Sequence, residues 1–81
     1  MYYVYILSDA NSKIYIGYSS NLRKRIQEHQ SGEVTTTKKM KNPRLIYYEA
    51  YNSKALATSR EKKLKHYGSS YTGLLKRIRI K

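Results

Sequence analysis

Tyr2-Tyr3-Val4-Tyr5-Ile6-Leu7 and Lys13-Ile14-Tyr15-Ile16-Gly17-Tyr18, separated by the turn-prone Ser8-Asp9-Ala10-Asn11-Ser12, read as a β-hairpin. Pairing Leu7 with Lys13 sets Tyr5 opposite Tyr15, Val4 opposite Ile16 and Ile6 opposite Ile14. Directly opposed residues have Cβ atoms about 4.5–5.5 Å apart. On this register Val4, Ile6, Ile14 and Ile16 share one face and make a core. The phenols of Tyr5 and Tyr15 share the other face with Gly17, whose missing side chain leaves room beside them. That second face is the candidate site. With Arg25, His29 and Glu61 further along, the chain offers tyrosines, an arginine, a histidine and a carboxylate, groups that suffice to cut a phosphodiester bond.

Beyond the hairpin, Asn21 can cap a first helix that ends near Ser31-Gly32. Glu33 to Pro43 is a loop in which Thr35-Thr36-Thr37 precede Lys38, Lys39 and Lys41. Arg44 to Tyr51 is a third strand. Ser53 can cap a second helix running toward Tyr67, with Gly68 as its stop. Ser69 or Ser70 can cap a final short helix through Leu74, Leu75 and Ile78, weakened by Gly73 by about 1 kcal/mol relative to Ala. The expectation is an α+β fold, a three-stranded antiparallel sheet flanked by helices in the order β-β-α-β-α-α. One domain spans 1–81, with no internal repeat and no low-complexity linker.

Seventeen Lys and Arg against five Asp and Glu give a formal charge of +12 on 81 residues. An excess of that size favours a polyanionic partner, nucleic acid first, over a merely well-solvated surface. A membrane surface fits less well, because no helix combines the basic residues with a wide apolar face. No stretch is long enough to span a bilayer, and no signal peptide opens the chain. The absence of cysteine excludes disulfides and thiolate metal sites, so the expected location is cytoplasmic. All ten aromatics are tyrosine, which suits a half-wet surface. Tyr47, Tyr48 and Tyr51 in the third strand are expected to pack.

Leu22, Arg25, Ile26 and His29 fall at i, i+3, i+4 and i+7, the stripe an amphipathic helix turns toward the core. Either Leu22 and Ile26 are buried at the sheet edge while Arg25 and His29 face the tyrosines, or the two polar residues snorkel. Glu61 lies between Ala57 and Leu64 on the inward stripe of the second helix. A carboxylate there is either paired or ligates a metal. The plainer reading is a surface ion pair with Lys65 at i+4, worth about 0.3–0.5 kcal/mol. Asp9 sits in a turn, Glu28 points off the Arg25–His29 stripe and Glu33 begins the basic loop. Glu49 is the rival to Glu61.

The ordered series of Tyr3-Val4-Tyr5, Tyr15-Ile16-Gly17, Arg25, His29 and Glu61 resembles the GIY-YIG nuclease superfamily, most of all its small stand-alone bacterial members. The second motif is intact, whereas Tyr3 replaces the glycine of the first, and the last asparagine is Asn52 where several members carry a later one, a support that Tyr71 could supply. The resemblance implies a metal-dependent endonuclease that hydrolyses phosphodiester bonds, DNA ahead of RNA. Tyr5 and Tyr15 would activate water and orient the phosphate, Arg25 would offset transition-state charge, and His29 would contact the phosphate or take a proton. Glu61 would hold Mg²⁺ or Mn²⁺. Positive charge from Arg25 and the metal would lower a phenol pKa. Tyr18 stands where some members place a lysine, and it joins Lys38, Lys39 and Lys41 as an expected nucleic-acid contact. Selectivity would come from shape, from that lysine loop or from a protein partner. The alternatives are a non-catalytic nucleic-acid-binding module on the same scaffold and a ribosome-associated basic protein.

If nucleic acid is the partner, the logarithm of affinity falls against that of salt with a slope of roughly −0.9 per duplex phosphate neutralised. Replacing Lys38, Lys39 and Lys41 with Ala makes the slope shallower in a salt titration. A flat dependence in the parent protein excludes the partner.

Overall fold

Strands β1 (Tyr2–Ser8), β2 (Ile14–Ser19) and β3 (Arg44–Tyr51) and helices α1 (Leu22–Gln30), α2 (Lys54–Lys65) and α3 (Ser69–Ile78) follow the expected order. They are seen in a computed structural model that describes residues 1–34, 37–66 and 69–78. The three strands form one antiparallel sheet in the order β2-β1-β3. Thr35, Thr36 and the stop expected at Tyr67-Gly68 lie outside the described residues, and α2 closes at His66. Among the described residues no helix is long and apolar enough to cross a membrane.

The central position of β1 explains why Val4, Tyr5, Ile6 and Leu7 are all buried. Alternation sends Val4 and Ile6 to one face, where they pack with Ile16, Ala57 and Leu64 and with Leu74 of α3. Each fully buried Ile or Leu there contributes about 1.5–3 kcal/mol. Tyr5 and Leu7 point to the other face, the one that α1 covers. Asn21 caps α1 by accepting from Lys24 N at 3.2 Å, and Ser53 caps α2 by accepting from Leu56 N at 3.3 Å. Past α1 the chain turns through Gly32 at φ +80, a left-handed conformation that glycine adopts without steric cost.

The hairpin register differs from the expected one. Tyr5 pairs with Gly17, Leu7 with Tyr15 and Ile6 with Ile16, a slip of two residues along β2. Asp9 is the cause. Its Oδ1 accepts from Asn11 N at 2.9 Å and Lys13 N at 2.8 Å, and Asp9 N donates to Lys13 O at 3.1 Å, which closes a tight turn with Ser12 at φ 63. A two-residue slip leaves every side chain on its face, so the sorting of aliphatics and phenols survives. Asp9 Oδ2 also accepts from Lys41 N at 3.4 Å, while Ala10 N donates to Lys41 O at 2.9 Å, tying the lysine loop to the hairpin. Burial opposes the charge on Asp9, but the N–H groups of Lys13, Asn11 and Lys41 prevail and hold its carboxyl below the usual range.

On β3, pairing shifts from Ile6–Tyr47 to Leu7–Leu45, a bulge that leaves Ile46 packed against the core. Tyr47, Glu49 and Tyr51 then share the face toward α2. Glu49 accepts from both phenols at 2.5 Å and from Arg60 Nε and Nη2 at 2.9 and 3.0 Å. This bidentate pair fixes α2 on the sheet. Tyr47 and Tyr51 pack as expected, whereas Tyr48 on the opposite face of the edge strand is 52% exposed.

Burial works against the Glu49 charge, yet Arg60, Tyr47 and Tyr51 outweigh it and hold its carboxyl below the ordinary value of 4.5. A folded pKa below the unfolded one contributes stability that is present above the unfolded value and is lost as pH falls through the folded one. Glu49→Ala therefore lowers stability by roughly 1–3 kcal/mol at neutral pH, because Arg60 and two phenols lose their acceptor. In urea melts from neutral pH down through the carboxylate range, roughly pH 3–5, the loss shrinks toward the acid end.

Candidate active site

Tyr5, from the middle of the central strand, has no exposed surface. Its hydroxyl meets His29 Nε2 at 2.7 Å, and His29 Nδ1 meets Thr37 Oγ1 at 2.6 Å. Thr37 Oγ1 donates onward to Val34 O at 3.5 Å. The arrangement accommodates a neutral imidazole that accepts from the Tyr5 hydroxyl at Nε2 and donates from Nδ1 to Thr37. His29 and Thr37 are each 1% exposed, so the relay is buried from end to end.

The rings of Tyr5, Tyr15 and His29 form one cluster, with centroids 6.2 Å apart for the two tyrosines, 5.6 Å for Tyr5–His29 and 5.0 Å for Tyr15–His29. Gly17 is its floor. A methyl group there would land 2.5 Å from Tyr5 Cζ and 2.8 Å from Tyr15 Cε2, and closer still to the Tyr5 oxygen. Close approach of two side chains to the backbone therefore requires glycine.

Arg25 stands beside the Tyr5 hydroxyl and is held by Glu28, which accepts from Nη1 at 3.1 Å. Glu28 does not point away from the site as its helical phase suggests; it turns back to brace the guanidinium. Desolvation pushes the Tyr5 phenol up to about 12, against the hydrogen bond from Arg25, with Tyr15 and Glu61 adding to the rise. Burial thus outweighs the lowering expected from Arg25, and Tyr5 is a proton donor to His29 at neutral pH. His29 is held below its ordinary 6.5 by burial and then by the Arg25 charge, so it stays neutral there.

The expected site residues separate into groups. Tyr5, Tyr15, Arg25 and His29 come together, half of them in the interior and not on an open surface. Glu61 approaches from α2, close enough for its charge to act on Tyr5, and its Oε2 pairs with Lys65 at 3.1 Å. Tyr18 lies on the other face of the sheet, stacked on Tyr2 at 6.5 Å and packed against the core. Lys38, Lys39 and Lys41 are exposed. Lys38 and Arg44 line a cleft of about 570 Å³ that reaches His29 and Thr37 from behind. Thr37 went unnoticed in the sequence, where it is one of three consecutive threonines with nothing to single it out.

Among the described residues no three His, Cys, Asp or Glu side chains gather into a metal-binding group. Glu49, the rival ligand, has both oxygens engaged by Arg60 and two tyrosines. The donor set left is the single carboxylate of Glu61, which fits a hard cation that keeps its waters and takes phosphate oxygens as further ligands.

The family model of the GIY-YIG catalytic domain matches residues 1–78. The chain belongs to the GIY-YIG family. This GIY-YIG domain is 37% identical over 65 residues to a UPF0213 protein of Natronomonas pharaonis, covering 79% of this chain and 76% of that one. It is 31% identical over 67 residues to a UPF0213 protein of Staphylococcus aureus, covering 82% of each. The solution NMR structure of the UPF0213 protein BH0048 from Bacillus halodurans superposes with a TM-score of 0.57 at 32% identity, covering 93% of this chain and 82% of that one. The family is one of nuclease domains, and Gly17 is the last residue of the second strand motif that names it.

Gly17→Ala forces the Tyr5 and Tyr15 rings apart and lowers stability by roughly 1–3 kcal/mol, as overpacking does. NMR titration of His29 provides the local check. Its pKa lies below 6.5 in the parent protein and moves back toward that value in the variant as the cluster opens to water.

Proposed function

We propose that this domain hydrolyses phosphodiester bonds in DNA as a divalent-metal-dependent endonuclease. The hydrogen bond of 2.7 Å between the Tyr5 hydroxyl and Nε2 of His29, beside Arg25, carries this reading. At an intrinsic pKa near 10 a phenol is a poor base at neutral pH, and Tyr5, pushed up to about 12, is poorer still. Paired with His29 it has no need to ionise first. As the attacking water gives its proton to the Tyr5 oxygen, Tyr5 passes its own proton to His29 Nε2, and no charge builds on the phenol. Thr37 holds the imidazole in the tautomer that can accept.

Arg25, with a side chain 38% exposed, exchanges its contact with Tyr5 for the incoming phosphate and offsets the charge that grows on the phosphoryl oxygens. This exchange also uncovers the Tyr5 lone pair. Tyr15, half-buried at the rim of the ring cluster, orients the phosphate through its hydroxyl. Mg²⁺ or Mn²⁺ held by Glu61, with water and phosphate oxygens completing its shell, would supply Lewis-acid stabilisation of the leaving oxygen. The net charge of +12 supports a nucleic-acid substrate, and the exposed Lys38, Lys39 and Lys41 would contact its backbone. The ion pair of Glu61 with Lys65 at 3.1 Å favours the second reading, a binding module without cleavage, to the extent that no cation displaces it.

Nicking of plasmid, branched and single-stranded DNA with Mg²⁺ or Mn²⁺, with structured RNA as a further substrate, separates the two. Under the nuclease reading Glu61→Gln keeps fold and affinity and loses cleavage by orders of magnitude. Arg25→Ala loses cleavage and some affinity as well. The rate falls as pH drops through the lowered pKa of His29, since the imidazolium cannot accept the proton. Equal nicking by the parent and Glu61→Gln at limiting metal overturns the assignment of Glu61, and no nicking by the parent on any substrate leaves the binding module.

A further inference from the structure

Helix α1 has a second flank. Arg25, Glu28 and His29 face the ring cluster, while Leu22, Arg23, Ile26 and Gln27 line a groove of about 530 Å³ between the helix and the outer face of β3. Leu45, Tyr3 and Tyr48 form its sheet side. Tyr48 stands edge-on to Tyr3, with centroids 6.1 Å apart and planes at 63°, so its ring is held upright while 52% of the residue stays exposed. The substitution of Tyr3 for the first-motif glycine therefore does not crowd the ring cluster. It builds this groove instead.

We propose that the groove binds an unpaired nucleobase of the substrate, stacked on Tyr48 and within about two nucleotides of the phosphate being cut. The proposal rests on the nuclease reading and adds a substrate class to it, DNA with an unpaired nucleotide close to the scissile bond. The chemistry of the lining selects a planar heteroaromatic ring. Leu22 and Ile26 offer an apolar wall, Tyr48 offers an aromatic surface, and Ser20, Asn21 and Gln27 offer uncharged hydrogen-bonding groups suited to a base edge. Among the described residues no acidic side chain lines the groove, and the exposed Arg23 is part of its lining.

A path from the groove to the site is also present. Successive residues turn by about 100° around a helix. Arg23, Lys24 and Arg25 therefore carry a strip of positive charge over the top of α1, from the groove through exposed Lys24 to the ring cluster. An α-helix with its side chains is about 10–12 Å across, which puts the groove within about two nucleotides of the phosphate at Arg25. A base in intact duplex must first be unstacked and unpaired at some cost, so a strand already unpaired there binds preferentially.

The test uses binding in EDTA, so that it does not depend on cleavage, to a duplex carrying one unpaired 2-aminopurine. The parent protein quenches the fluorescence of that base. Tyr48→Ala abolishes the quenching and weakens binding about tenfold to a hundredfold, and Tyr48→Phe retains both, as expected for stacking. An abasic residue in place of 2-aminopurine weakens parent binding to the same extent, and Tyr48→Ala then causes no further loss. Unchanged affinity in Tyr48→Ala, or a loss from Tyr48→Ala on the abasic duplex as large as on the 2-aminopurine duplex, overturns the groove assignment. If the parent nicks DNA while its binding ignores Tyr48, only the groove is wrong. If it neither binds nor nicks any substrate, the nuclease reading fails and the groove with it. Concentration-dependent self-association that Tyr48→Ala abolishes, without quenching, identifies the face as a contact between copies and also overturns the proposal.

Discussion

A phenol in the middle of a central strand with no exposed surface must find a partner for its hydroxyl, since leaving that group unsatisfied costs about 1–3 kcal/mol. In this fold the partner is His29, and much of the surrounding geometry follows from that one hydrogen bond. Helix α1 must present His29 over β1, which places Arg25 one turn earlier beside the same oxygen. The ring of Tyr5 must lie against the neighbouring strand, which leaves no room for a side chain at Gly17. The far nitrogen of His29 needs its own partner, which recruits Thr37 from the loop, and Asp9 anchors that loop through the backbone of Lys41. Under the proposed nuclease function the same buried bond that satisfies Tyr5 would also carry its proton to His29.

The five acidic residues show how a chain of charge +12 uses scarce negative groups. Asp9 joins two loops, Glu28 braces Arg25, Glu33 accepts from Ser31 and Glu49 clamps α2 to β3. The partner of Glu61 is an ammonium whose side chain is 48% exposed, a contact that a cation can displace at little cost. Neighbours on one helix therefore differ sharply: Arg60 holds α2 in position, and Glu61 beside it is left adjustable. The clamp at Glu49 fixes α2 on the sheet and with it where Glu61 stands relative to Tyr5.

Side-chain alternation, capping residues and charge were enough to determine the order of elements and the sorting of Val4, Ile6 and Ile16 from Tyr5 and Tyr15. These are local properties, encoded in periods of two and about four residues. The register was not legible, because a slip of two residues preserves both faces and only the hydrogen bonds of Asp9 distinguish the alternatives. Whether Arg25 and His29 faced the tyrosines or snorkelled depended on the rotation of α1 against the sheet, which is set by what the helix packs on. The burial of the site, the choice of Thr37 among three threonines and the exposure of Tyr48 beside α1 were likewise decided by tertiary structure. Each depends on groups distant in sequence competing for the same space or the same proton, and no local pattern records that competition.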